Sequence, residues 1–447
     1  MTWRDYLIML LHIGAELEHA LMVEYLYAAY SLGGDDAAKH DDRVREWRDT
    51  ILTVAREEMG HLITVQNLLL LVGGPVSFER RDYPWSSPFY PFEFRLERLS
   101  LKSLACYVYA EMPRTLVTPA DKKVRRDVVK LVGPDAPTVG EIYDRIIEVI
   151  GNEKLIPDSM FNADSYAFQS TWDEWGRGYR PPNHQPYAKN PDIPPAHERK
   201  TRVIVTQMAT RTEALDALRD IAGQGEAEHL RSDAKMEESH FDRFARIFRE
   251  YQAILKKDPK WSPSRPVPEN PYAGEAEYAP EGTTAVSNPA SMAWASLFNV
   301  RYRILLSLLT YTFRIPRDAP ESAKLRRASM LARTFGEMYN LKAVAGVLVR
   351  LPLAGPRGVK RAGPPFQLPY TLTPPLPEAN YWRLHLDLLD ASKELAESLL
   401  DSKRHHTADA PTDGTRYLHA MLEADHASRT WIEGILAGID FSRRLLA

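Results

Sequence analysis

Apolar positions recur along most of this chain at the three-and-four spacing of a helix face rather than the alternation of a half-buried strand. The pattern runs from about Trp3 to Leu32, where Gly33-Gly34 stops it. It resumes at Asp41-Asp42 and runs to Val72, where Gly73-Gly74-Pro75 ends it. A shorter helix is expected from about Leu101 to Met112, closed by Pro113, and another from Thr138 to Ile150. The period returns over Glu198 to Ala222 and Glu228 to Leu255, then over about 289–315, 319–351, 377–402 and 413–438. Strand signals are weak throughout, so the expected fold class is all-α.

Three stretches break the pattern. Ser77 to Arg95 is rich in Tyr, Phe and Pro and reads as a loop. An insertion at about 113–197 follows, and its part from Pro157 to His197 is crowded with Pro, Trp, Tyr and Asn. Structureless loops of that length are rare in compact domains, which makes it a candidate lid. Pro259 to Asn288 is Pro-rich without helical period, so the chain is divided into a bundle over 1–258, a linker over 259–288 and a helical domain over 289–447. Two domains are also what 447 residues lead one to expect.

Composition narrows the function classes. A formal charge of −3 gives no sign of a nucleic-acid or anionic-lipid partner. Cys106 is the lone cysteine, so an intrachain disulfide is excluded and a reducing compartment is expected. The opening MTWRDYLIML lacks a basic n-region, and no apolar run reads as long enough to cross a membrane; the richest, around Ile304 to Leu309, follows Arg301 and Arg303. A cytoplasmic protein without a membrane partner is expected.

Candidate chemistry lies on the helical stripes. Glu58 and His61 stand three apart on the stripe of Val54, Ala55, Leu62 and Val65, and Glu237 and His240 stand three apart beside Phe241, Phe244 and Ile247. That spacing puts both members of a pair on one face. Glu18 sits among Leu11, Ala15, Met22 and Tyr25, and Glu111 follows Leu104, Tyr107 and Val108. Burying a lone carboxylate is expensive, so four glutamates on apolar faces need a shared partner. Two Glu-x-x-His pairs with a Glu from each of two further helices are the ligand plan of a dinuclear carboxylate site inside a four-helix bundle. Oxygen and imidazole donors without thiolates suit two Fe ions, with Mn as the other candidate. Glu57 and Glu238 are the register alternatives for Glu58 and Glu237.

Other residues carry weaker signals. His12, Glu16 and His19 share a face and could form a second ligand set or simply meet solvent. Glu24 is a spare carboxylate near Glu18; Tyr25, Tyr107 and Tyr109 read as core or as ligand partners; Gln224-Gly225-Glu226 reads as a cap, or as a loop that supports the ligands or lines the pocket. Trp172, Trp175 and Tyr179 of the insertion are candidates for substrate contact or for core. Cys106 reads as a small buried hydrophobe.

The ordered stretches LEHALMVEYLYAAYSL, EEMGHLITVQNLLLLVGGP, YVYAEMP, GQGEAEH and EESHFDRF resemble the ferritin-like domain of iminophenyl-pyruvate dimer synthases, over about residues 8–255. These enzymes act in bisindole pigment pathways such as those to violacein and rebeccamycin. The resemblance implies a ferritin-like bundle with Glu18, Glu58, His61, Glu111, Glu237 and His240 facing the metal, and a coupling of imines derived from an aromatic amino acid.

The second half contains an echo. Glu337-Met338-Tyr339-Asn340-Leu341 is close to Glu58-Met59-Gly60-His61-Leu62, and Glu423-Ala424-Asp425-His426 parallels Glu237-Glu238-Ser239-His240. Either the C-terminal helices are a decayed duplicate or the likeness is chance; chance is favoured, because Asn299 or Arg303 stands where a glutamate is needed.

The expected activity is a dioxygen-dependent di-iron oxidase or oxygenase of a small amine, amino acid or aromatic metabolite, probing the same site as the imine coupling. A non-enzymatic iron-storage or assembly role is the third class. Storage needs only a short single bundle that forms cages, and the extra domain and insertion argue against it. The partners expected are a small-molecule substrate and dioxygen, with self-association left open.

Overall fold

The computed structural model describes residues 1–116, 118–133, 137–176, 203–226, 238–355, 358–401 and 412–446, of which it gives no side-chain surroundings for the last few. Two compact units are present, one of residues 1–265 with 313–328, the other of 266–312 with 329–447.

Two long helices dominate the first unit, α1 (Trp3–Ser31) and α2 (Asp41–Leu71). Thr2 caps α1 by accepting from the Asp5 amide while the Asp5 carboxylate accepts from the Thr2 amide. Gly33 follows with a φ of +121°, a backbone conformation that favours glycine. Next come α3 (Leu101–Ala110), started by a Ser100/Ser103 capping box, then α4 (Pro119–Val132), α5 (Val139–Gly151) and the short α6 (Trp172–Gly176). The unit closes with α7 (Arg211–Glu226) and α8 (His240–Leu255), whose Ser239 cap accepts from the Asp242 amide. Helix α1 packs on α2 and α5, and α3 packs on α8. This is an all-α bundle with its core along Leu7, Leu17, Tyr25, Trp47, Ile51, Val65, Leu104 and Phe244.

Three departures from the sequence reading have physical reasons. Helix α4, inside the expected insertion, was hidden because its sequence is largely charged and only Asp121, Val124 and Val128 are buried. Of the helix expected over Glu198 to Ala222, residues 198–202 lie outside the described residues, the helical part starts at Arg211, and 203–208 are irregular and pass along α2. There the Ile204 carbonyl accepts from Thr64 Oγ1 at 3.2 Å and the Thr206 carbonyl from Asn67 Nδ2 at 2.8 Å. Finally, α1 is long and apolar enough to cross a membrane by length and composition, with most of that stretch buried inside the unit. No such run was expected because Glu18 and Glu24 interrupt the apolar residues of α1, whose mean hydropathy nevertheless stays high.

Within residues 313–328 of this unit, Arg327 anchors the chain: its Nε donates to Glu174 Oε1 at 2.7 Å and its Nη1 to the Ile315 carbonyl at 2.6 Å. The stretch read as a linker is ordered and divides between the units after Arg265. Trp261 is buried beside Trp47, and further on β1 (Pro271–Tyr272) pairs in parallel with β2 (Thr284–Ala285).

The second unit is built on α9 (Pro289–Thr312), α10 (Glu321–Leu348, from Ser329 onward), α11 (Glu378–Leu400) and α12 (Thr412–Leu446). Helix α11 packs on both α9 and α12. Tyr311 stacks on Tyr381 with ring centroids 4.0 Å apart, and Trp382 lies edge-on to both.

Candidate metal centre

Glu18, Glu58, His61, Glu111 and His240, from α1, α2, the end of α3 and the start of α8, are all buried and meet inside the first unit. Glu111 is the C-cap of α3, placed there because Pro113 cannot continue the helix. His240 is the first residue of α8.

Glu58 stands in the middle. Its Oε2 lies 2.8 Å from His61 Nδ1, and its Oε1 lies 2.9 Å from His240 Nδ1. Around it the donors fall into two groups, Glu18–Glu58–His61 and Glu58–Glu111–His240, each with its ligand atoms within 4.8 Å of one another. His61 Nδ1 is also 3.5 Å from Glu18 Oε2, and His240 Nδ1 is 3.6 Å from Glu111 Oε2. The imidazoles stack with centroids 5.6 Å apart.

Both histidines turn Nδ1 inward and use Nε2 outward. His61 Nε2 meets Gln224 Oε1 of α7 at 2.9 Å, and His240 Nε2 meets Glu57 Oε2 at 3.0 Å. Arg243 Nη1 donates to the same Glu57 oxygen at 2.6 Å. The glutamates are held as well: Tyr25 donates to Glu111 Oε1 at 2.6 Å, and Tyr143 of α5 donates to Glu18 Oε1. Burial and the neighbouring carboxylates push both phenols up, so they stay protonated and act as donors. Gly225 brings the α7 backbone so close that a Cβ there would sit 3.1 Å from Glu111 Oε2.

Charge explains the protonation pattern. Burial and the charge of Glu58 raise Glu18 to about 7. Burial alone would depress His61, but the Glu58 charge and bonds to Glu18 and Glu58 outweigh it and hold the imidazole at about 10. His240 is likewise driven well up against its burial by Glu58, Glu111 and Glu57. Burial would raise Glu57, yet His240 and Arg243 pull it down. The cluster therefore demands internal positive charge, supplied either by protons on the imidazoles or by ions that displace them.

The donor set fits a pair of transition-metal ions. Glu58 Oε1 and His240 Nδ1 are fully buried, face each other and make no hydrogen bond. Ligands bound at about 2.0–2.2 Å and at right angles to one another are separated by about 3 Å. The 2.8 and 2.9 Å separations at the two oxygens of Glu58 match that spacing as well as that of a hydrogen bond, and Glu58 is the one carboxylate that belongs to both donor groups.

The remaining expected residues fall elsewhere or outside the described residues. Glu237 lies outside the described residues, as do Tyr179 and Glu228. Glu238 is solvent-facing and pairs with Arg246 at 3.4 Å. His12, Glu16 and His19 do not gather as a ligand set among the described residues. His19 is buried, and burial lowers its imidazole far below the usual range. Glu24 accepts from the Arg95 amide at 2.9 Å, which ties the 77–95 loop to α1. Tyr107 and Phe244 join Tyr25 in an aromatic wall, at 4.8 and 4.9 Å from its ring. Trp175 is fully buried and Trp172 half-buried. Cys106 is half-buried rather than buried, its thiol pushed up to about 12 by burial. Sequence reading missed Tyr143, Gln224 as the His61 partner, and the Glu57–Arg243 support of His240. Glu57 was signalled only by its adjacency to Glu58, and Gln224 by the Gln224-Gly225-Glu226 break, read as a cap or as a loop beside the ligands; nothing pointed to Tyr143.

The chain is similar to known proteins. The chain is 26% identical over 396 residues to the dichlorochromopyrrolate synthase of Lentzea aerocolonigenes, an alignment covering 82% of this chain and 36% of that protein. It is 24% identical over 395 residues to the 2-imino-3-(indol-3-yl)propanoate dimerase of Chromobacterium violaceum, covering 79% and 33%. It thus spans about a third of the length of these relatives, both of which are enzymes by name. A solved ferritin-like protein from Caulobacter vibrioides superposes with a TM-score of 0.40 at 18% identity, over 79% of this chain and 97% of that one. The model of the Ferritin-like family matches residues 11–249, more than half of the sequence and all of the helices that carry the cluster, and the chain belongs to that family.

Proposed function

We propose that this chain is a dinuclear metalloenzyme that uses dioxygen to oxidise a small amine, amino acid or aromatic metabolite. The observation that carries the reading is Glu58, whose two oxygens reach one histidine each within two buried ligand groups. Glu18, Glu58 and His61 would hold one ion, and Glu58, Glu111 and His240 the other. Bound there, a pair of iron ions would supply two-electron exchange with dioxygen. Glu57 and Gln224 fix the ring orientation of the two histidines from behind, which keeps both Nδ1 atoms turned toward the glutamates. Tyr25 and Tyr143 steady the outer carboxylates and retain their own protons. Phe244, Tyr107 and Tyr25 form a wall from which water is excluded.

The names of the relatives favour a second reading of the same site, the coupling of two imines derived from an aromatic amino acid. A carbon–carbon coupling that removes one hydrogen from each partner releases two electrons and two protons. It would ask the same of the cluster. Anaerobic addition of two equivalents of Fe(II) followed by air tests both: an optical change and oxygen uptake are expected, along with turnover of either an amine or an imine. Retention of full oxygen uptake in Glu58→Ala would overturn the assignment, and uptake of iron far beyond two per chain would point to storage instead.

A further inference from the structure

The second unit also brings four helices together at mid-length around a polar centre. Arg301 of α9 is fully buried and forks between two carboxylates. Its Nε and Nη2 donate to the two oxygens of Glu337 on α10 at 2.7 and 2.8 Å. Its Nη1 lies 2.8 Å from both oxygens of Asp425 on α12 and 3.0 Å from Ser392 Oγ on α11.

We propose that this unit is a metal-free counterpart of the ligand bundle, with the Arg301 guanidinium holding the place of a metal ion. The details of the two centres run in parallel. Asn340 stands three residues after Glu337 and donates to its Oε2 at 3.1 Å, as His61 stands three after Glu58 and meets its Oε2 at 2.8 Å. The outer atom of each is held in turn: Tyr417 donates to Asn340 Oδ1 at 2.7 Å, and Gln224 meets His61 Nε2 at 2.9 Å. Glu337 and Glu58 each sit near the middle of the second helix of their set, and Arg301 and Glu18 near the middle of the first. On this proposal the echo that the sequence favoured as chance is a duplicate in a shifted register. Glu423 and His426 are exposed, and Asp425 faces inward instead. Asn299, a suspected occupant of the glutamate position, bonds Gln367 at 2.8 Å.

The exchange makes chemical sense. Two buried carboxylates in a bundle need a cation, and a guanidinium provides permanent charge with a fork that matches both. It offers no open position and exchanges no electrons, so the unit keeps its packing and loses any chemistry. Arg333, whose burial lowers it while Glu337 and Asp425 raise it, offsets the remaining negative charge from one turn earlier on α10.

The lattice of oxygens left when Arg301 is shortened should accept a hard divalent ion. Arg301→Ala in the full chain, dialysed against Mn(II), is expected to take up one more equivalent per chain than the unsubstituted protein. Mn(II) is also expected to raise its thermal midpoint by more, and Asp425→Asn on top of Arg301→Ala should remove both gains. A folded Arg301→Ala protein that binds no more Mn(II) than the unsubstituted chain overturns the proposal. Should Arg301→Ala be recovered unfolded, refolding with Mn(II) is expected to restore its helicity, and equal recovery with and without Mn(II) overturns it too. The inference borrows the kind of occupant from the reading of the first unit, but its count is a difference between variant and parent. It therefore stands or falls separately from metal binding at Glu58.

Discussion

Glu57 Oε2 lies 3.0 Å from His240 Nε2, so the residue just before Glu58 grips the imidazole of a helix almost two hundred positions away. The carboxylate is itself held by Arg243 Nη1 at 2.6 Å. A charged acceptor behind a histidine makes the ring a stronger donor, whereas the neutral Gln224 behind His61 does so less. Glu57→Gln keeps the size and the hydrogen bond but removes the charge. Affinity for the metal at the His240 group is expected to fall by about 10–100-fold. Competition with a chromophoric chelator measures it; an unchanged affinity would show that Glu57 serves only the fold.

Removing the bridge should differ from removing an arm. Glu58→Ala takes an atom from both groups, so elemental analysis should find neither ion retained after gel filtration. His61→Ala and His240→Ala each disturb one group, and about one ion per chain is expected to remain. Loss of one ion in Glu58→Ala, with the other held at parental strength, would mean that the two groups share nothing.

How much of this was legible in the sequence follows from what each signal depends on. The stripes carrying Glu18, Glu58, His61, Glu111 and His240 are local periodicity, and they point inward as that periodicity requires. Glu57 as a support, Gln224 and Tyr143 depend on which helices become neighbours, a fact no local pattern contains. Arg301 was passed over because a buried arginine in an apolar helix looks like any interruption until Glu337 and Asp425 are seen around it. The 203–208 segment was misread because Val203, Ile204 and Val205 suit either state, and the deciding partner, α2, is remote.

That partner gives a backbone prediction. A Cβ on Gly60 would lie 2.6 Å from the Ile204 carbonyl oxygen and 2.8 Å from Val203 Cγ1. Alanine gains about 1 kcal/mol over glycine in a helix interior. Forcing extra volume into a packed contact costs about 1–3 kcal/mol, and here the obstacle is main chain that is bonded to Thr64. The clash should win. Gly60→Ala is expected to lower the denaturation midpoint, and to speed amide exchange in the 203–208 segment; a more stable variant would show that this segment moves aside freely.

Acid should weaken the second unit through His385. Burial first, then the charge of Arg303, lowers its imidazole to about 3, and its Nε2 lies 3.0 Å from Ser307 Oγ. An unfolded histidine titrates near about 6.5. Between these limits the unfolded state binds a proton that the folded state refuses, so stability rises with pH across the window. It is fully present above about 6.5, declines as the pH falls, and stops declining near 3. The full span is on the order of 5 kcal/mol, of which only the upper part is accessible before other groups titrate. His385→Gln fills a similar volume, can still bond Ser307 and does not titrate. Thermal unfolding at pH 7.5 and pH 5 should therefore show a smaller acid-induced drop in the variant than in the parent, and equal drops would mean that His385 accepts its proton without leaving the fold.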